Sequence, residues 1–132
     1  MGQTIKLAVI GAVAFMVLDG VWLGLLMKNF YRAQLAPIMR LANGGMAPIW
    51  PAALVVYALL GAGIALFVIP RAATIPLAAL YGALFGLVVY GVYDFTNYST
   101  LRQWPFLLTL ADVAWGTVAS AAAAVAVRIA AR

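Results

Sequence analysis

Four runs of apolar residues, near 5–27, 50–69, 77–98 and 105–127, constrain this chain more than any other feature. Each is long enough to cross a bilayer, since about 20 apolar residues span the hydrocarbon core. Composition points the same way. The 132 residues are 67% hydrophobic and 8% charged, against about 45–50% apolar and about 25% charged in an average soluble domain. The expected fold is a single all-α domain, an integral membrane four-helix bundle. The first run reads as a retained span and not a secretory signal. Asp19 and Trp22 interrupt it, it exceeds the apolar core of about 7–15 residues typical of signals, and no clear cleavage site follows. Pro70 and Pro76 bracket a short turn, and Pro105 stands where the fourth helix should begin, a position that tolerates a missing N–H. Spans two to four should therefore form consecutive antiparallel hairpins.

The connection from Lys28 to Pro48 is mixed in character. Tyr31, Leu35 and Ile38 recur at helical spacing beside Arg32 and Arg40, which predicts a short helix over 30–41 lying in the membrane interface. Asn43-Gly44-Gly45 after it reads as a turn. The segment is an anchoring connector or, in the sharper reading, a lid over a site. Among the spans, Gly20-x-x-x-Gly24, Gly82-x-x-x-Gly86 and Gly116-x-x-x-Ser120 are small-residue pairs of the kind that let helix backbones approach, and Ala58, Gly61, Ala62 and Ala65 offer the same to the second. The alanine-rich run 119–126 is a smooth packing surface.

Charge narrows the function classes. The net charge is +5, but the eight cations are scattered at the ends of the apolar runs, where they snorkel to headgroups and set topology. No nucleic-acid patch results. The chain has no cysteine and no histidine, so disulfides, thiol chemistry, Ser–His–Asp triads, axial histidine ligation of haem and the usual zinc sites are excluded. No metal or cofactor motif is present.

The three acidic residues, Asp19, Asp94 and Asp112, all fall in or beside apolar runs. A charge at mid-membrane costs roughly 2.5–3.5 kcal/mol on insertion scales, so such groups face a bundle interior, pair, or line a polar cavity. At a rise of about 1.5 Å per residue, Asp19 lies roughly 4.5 Å, Asp112 roughly 6 Å and Asp94 roughly 10 Å from the midpoints of their spans, all toward the same face. That is also the face of Lys28, Arg32, Arg40 and Arg102. Arg32 and Arg102 are therefore candidate ion-pair partners, Arg102 for Asp94 in particular, which counts as the shallowest carboxylate.

Local patterns extend the candidate site. Asp19-x-x-Trp22 and Asp112-x-x-Trp115 each place a carboxylate and an indole on neighbouring parts of one helix face, and the indole N–H suits a carboxylate on a facing helix. The two motifs run in opposite membrane directions, as in an inverted repeat, but the second and third spans share nothing comparable. Tyr90, Asp94 and Asn97 form a polar stripe that should face inward. The candidate ligand or proton site is Asp19, Trp22, Tyr90, Asp94, Asn97, Asp112 and Trp115. Two like carboxylates at low dielectric do not both stay ionised cheaply, so Asp19 and Asp112 are expected to hold a proton or cation between them.

Leu18-Asp19-x-x-Trp22-Leu23, Phe30-Tyr31-Arg32, Tyr90-Gly91-x-Tyr93-Asp94-x-Thr96-Asn97, Thr100-Leu101-x-x-Trp104-Pro105 and Asp112-x-x-Trp115-Gly116 together resemble a family of bacterial predicted four-helix inner-membrane proteins classed as a domain of unknown function. The resemblance covers nearly the whole chain. It implies a compact multi-pass protein of the bacterial inner membrane and carries no established activity.

Three functions of different class fit. The favoured one is binding or transport of a lipid-like or small polar molecule through a half-membrane pocket, with the aspartates as proton or cation acceptors and Trp22, Trp104 and Trp115 as walls. A lipid-modifying enzyme would use paired carboxylates as acid and base, or hold a hard cation with Asn97 and Thr96. An accessory subunit, in a homo-oligomer or a larger membrane complex, would dock partners through small-residue faces and aromatic belts. Lys6, Arg71, Arg128 and Arg132 balance the four cations of the opposite face, and the free α-amine tips the count toward cytoplasmic termini.

Overall fold

The computed structural model describes all 132 residues. Helix α1 (Gly2–Val21) runs into a π-helical turn at Trp22–Leu26, and a short α2 (Lys28–Leu35) follows. Strands β1 (Leu41–Ala42) and β2 (Gly45–Met46) make a small antiparallel hairpin. Helix α3 (Trp50–Gly63) continues through a second π-helical turn (Ile64–Val68) and a 3₁₀ turn (Ile69–Arg71); α4 (Ile75–Thr100) and α5 (Phe106–Ala130) complete the chain. Four continuous helical segments, Gly2–Leu26, Trp50–Arg71, Ile75–Thr100 and Phe106–Ala130, are long and apolar enough to cross a membrane. The protein is an all-α membrane protein. These helices outrun the apolar stretches at several ends, because helical hydrogen bonding continues through polar tails such as Tyr98–Thr100.

Local chemistry sets the ends. Pro76 lies in the first turn of α4, where the Thr74 hydroxyl accepts from the Leu77 N–H at 3.3 Å. Before α5, the Trp104 indole donates to the Thr109 hydroxyl at 3.1 Å, and that hydroxyl donates to the Pro105 carbonyl at 3.1 Å, closing the short loop from α4. In the β-hairpin Asn43 and Gly44 both take positive φ, 50° and 79°, the requirement of the tight turn that Asn-Gly favours. Arg32 on α2 donates to the Gly44 carbonyl and ties the hairpin to α2.

Lipid offers no hydrophobic gain for helix association, so close packing has to supply it. Small residues do so at three crossings. A side chain at Gly61 would collide with the backbone of Ala8 and Ala12, holding α1 against α3. Gly82 and Gly86 are pressed against Ser120, Ala121 and the Gly116 carbonyl, joining α4 to α5, and Gly63 is covered by the Phe85 ring. Phe15, Ile64, Val68, Ala119, Ala123, Ala124 and Val127 fill the space between the two hairpins with almost no exposed surface. The pair Gly20 and Gly24 is different: nothing lies within 4 Å of either Cβ position, so that spacing marks no helix contact within the chain.

α3 and α4 touch in the half of the bundle nearer the termini, through Gly63–Phe85 and the π-helical turn. Toward the loop face they separate. Substituting Gly61 or Gly86 by Leu should cost more than the roughly 1–3 kcal/mol of ordinary overpacking, because the obstacle is backbone, and should lower the thermal unfolding midpoint sharply in detergent. Gly20→Ala should leave the midpoint unchanged or raise it slightly.

Candidate functional site

Asp19, Asp94 and Asp112 each sit about two helical turns from the loop-face end of their helix. None is exposed: Asp19 and Asp112 are half-buried and Asp94 has 0% exposure. The partners of Asp19 and Asp112 are aromatic, not cationic. Asp19 accepts from the Trp115 indole at 2.8 Å through one oxygen and from the Tyr57 hydroxyl at 3.0 Å through the other. Asp112 accepts from the Tyr31 hydroxyl at 2.6 Å, and Tyr31 in turn accepts from the Trp22 indole at 3.0 Å. Trp22 and Trp115 stack face to face, with centroids 4.5 Å apart and planes 2° from parallel.

The two Asp-x-x-Trp motifs thus meet across α1 and α5. Trp115 reaches the facing carboxylate directly, whereas Trp22 reaches it only through Tyr31. The π-helical turn explains the difference. It begins at Trp22, closes with Met27 N–H to Trp22 C=O at 2.7 Å, and lets the chain fold α2 back so that Tyr31 is inserted beside α5. Burial, reinforced by the Asp112 charge, pushes the Tyr31 phenol well above its usual range, so it remains a proton donor across physiological pH.

Tyr31 and Tyr57 are absent from the residues proposed from sequence, although each holds a carboxylate. The signal for Tyr57 was present: it is the only hydrogen-bonding side chain between Pro51 and Pro70. Tyr31 had only its helical spacing with Leu35 and Ile38 to mark it; that it is the one buried residue of α2 is visible in the structure alone. Tyr90 packs its ring on Gly116. Asn97 lies further toward the loop face, within hydrogen-bonding reach of Tyr93 and away from the three carboxylates' bonds.

Asp94 is the least exposed of the three, and neither of its oxygens receives a hydrogen bond from any N–H or O–H. The expected pairing with Arg102 does not occur. The α4 helix ends at Thr100 with Leu101 extended, and Arg102 points out, exposed, into a surface groove with Asn97, Gln103 and Trp104. Arg32 is engaged with Gly44. The group within hydrogen-bonding reach of Asp94 is the Asp112 carboxyl. Two carboxyls this close do not both ionise cheaply, so Asp94 with Asp112 stands beside Asp19 with Asp112 as a candidate pair to share a proton.

Between these groups and the loop segment lies a cavity of about 400 Å³. Asp19, Tyr31, Tyr90, Tyr93 and Asp112 contribute its polar atoms; Leu23, Val56, Leu60, Val89 and Leu108 its apolar walls; and Leu35, Met39 and Met46 its cover. No Lys or Arg lines it. The second span, α2 and the hairpin therefore all converge on the two aspartates.

Infrared spectra of the protein in lipid should contain a protonated-carboxyl band that Asp94→Asn or Asp112→Asn removes. Asp19→Asn should leave that band in place, because Asp19 is satisfied by two neutral donors. A spectrum in which only Asp19→Asn removes the band would return the shared proton to the Asp19–Asp112 pair.

Comparison with curated proteins and with solved structures finds no match. Residues 4–129 match the family model described as "Predicted membrane protein (DUF2177)". A match over nearly the whole chain places this four-span protein, with its aspartates joined through tryptophan and tyrosine, in the DUF2177 family of predicted membrane proteins.

Proposed function

We propose that this protein binds a lipid-like or small polar molecule in a half-membrane pocket. One observation carries the reading: a cavity of about 400 Å³, within the range of about 300–1,000 Å³ usual for small-molecule sites, whose only charged lining groups are Asp19 and Asp112. Structural carboxylates that merely clip helices together would be packed over. Hydrogen bonds inside membrane bundles are worth about 0.6 kcal/mol on average, a small return for maintaining two carboxylates beside a cavity.

Binding is better supported than passage from one face to the other. The half of the bundle nearer the termini is filled by Phe15, Ile64, Val68 and Val127, each at most 2% exposed, and the cavity reaches no deeper than Leu60. In the proposed setting, a bacterial inner membrane with cytoplasmic termini, the pocket occupies the outer leaflet. The resemblance drawn from the sequence supports the membrane, and the orientation is the one expected from the sequence.

The test is a comparison of wild-type protein with Leu60→Trp, which fills the cavity from α3. Purified gently and analysed by native mass spectrometry, the wild type should retain a small molecule that Leu60→Trp lacks, and adding back the extracted molecule should raise the unfolding midpoint of the wild type alone. Identical retention by both proteins would remove the cavity from the account.

A further inference from the structure

The gap between α3 and α4 gives the cavity a mouth, and the absence of cations gives it a preference. Val56 on α3 and Val89 and Tyr93 on α4 line the cavity and are also 53%, 36% and 55% exposed. The cavity therefore opens on the flank of the bundle. On a membrane-spanning bundle that flank meets acyl chains. Toward the loop side it is covered by Leu35, Met39 and Met46. A molecule entering by the flank arrives from the bilayer with its apolar part first in contact with valines.

Inside, the polar end is acidic. Asp19 has accepted two hydrogen bonds and Asp112 one from N–H or O–H groups, against about four lone-pair sites per carboxylate, so both retain acceptor capacity. The Tyr90 hydroxyl makes no side-chain hydrogen bond. Arg102 lies in the separate groove behind Tyr93 and Trp104, whose rings meet edge to face at 5.8 Å and 89°. A phosphate or carboxylate head in the cavity would face two acidic side chains with nothing of opposite sign.

We propose that the cavity takes up, through the gap between α3 and α4, a single-chain amphiphile whose head donates hydrogen bonds and carries no negative charge: a long-chain amine or alcohol. The head sits at Asp112 and Asp19 and the chain lies along Val56, Leu60 and Val89. The volume suits one chain better than a two-chain lipid. This rests on the binding reading above and adds to it the head chemistry and the route of entry.

The protein in lipid nanodiscs is supplied with dodecylamine, dodecanol, dodecanoate or dodecyl phosphate, and retention is read by native mass spectrometry. The amine and alcohol should be retained and the two anions held at least about tenfold more weakly. Asp112→Asn should weaken the amine about tenfold or more, the loss of a charge-assisted bond, and the alcohol less. Because the chain has no cysteine, Val56→Cys with Val89→Cys can be bridged by a reducible bifunctional thiol reagent. The bridge should block uptake and reductant should restore it. This arm holds even if Asp112→Asn fails to fold. Anions retained as well as the amine would overturn the head assignment, leaving cavity binding intact. Uptake unaffected by the bridge would overturn entry between α3 and α4. Retention of none of the four by the wild type would overturn the ligand class and, if the gently purified protein also carries no molecule, the binding reading with it.

Discussion

Everything in this bundle depends on how closely helix backbones approach in a solvent that gives no hydrophobic reward for doing so. Gly61, Gly82 and Gly86 concentrate that approach in the half nearer the termini, where Cβ atoms at those positions would strike backbone or small side chains of the facing helix. The other half has no such contact between α3 and α4. It is held instead by hydrogen bonds that bridge a wider gap, Tyr57 to Asp19 from α3 to α1, Trp115 to Asp19 from α5 to α1, and Tyr31 to Asp112 from α2 to α5. The cavity is the space that this change of packing mode leaves open.

That division explains why a carboxylate chemistry arises at one level of the bundle. A tightly crossed pair of glycines leaves no volume for tyrosine or tryptophan. Where the helices diverge, long rigid side chains with one polar tip can reach across, and the carboxylate is the acceptor that satisfies them. The face-to-face stack of Trp22 on Trp115 fixes both indole N–H groups in direction, so the donors are aimed by packing and not by the chain's flexibility. The π-helical turn at Trp22–Leu26 supplies the geometry that brings Tyr31 in from outside the spanning helices, in keeping with the frequent occurrence of such turns at functional sites.

The fold was legible because run length and apolarity decide it almost alone, and the leaflet shared by the aspartates followed from counting residues along each helix. Rotation about the helix axis was less legible. Counting along α4 makes Asp94 shallow and puts Arg102 near it, yet Asp94 turns inward to Asp112 while the chain leaves helical geometry at Leu101 and carries Arg102 outward. Gly20 and Gly24 show the same limit, since their spacing fits a contact face that the bundle does not use. Tyr57 and Tyr31 escaped a reading that sought unlike charges, because a neutral phenol is a sufficient donor where the acceptor is already buried.

The use of neutral donors in place of cations has a chemical consequence. Pairing Asp19 and Asp112 with Arg or Lys would cancel their charge and leave nothing for another molecule to compensate. Indole and phenol groups orient the carboxylates and partly satisfy their lone pairs without bringing a cation to them. Asp94 adds a second feature, a buried carboxyl whose oxygens receive no hydrogen bond. The acidic end of the cavity is thus held by neutral donors alone. An arrangement built only to join helices would gain by completing it with a cation, and the loop face has Arg32 and Arg102 from which to draw one. Instead Arg32 is spent on the Gly44 carbonyl and Arg102 lies beyond the Tyr93–Trp104 wall, so neither cation reaches the two carboxylates that line the cavity.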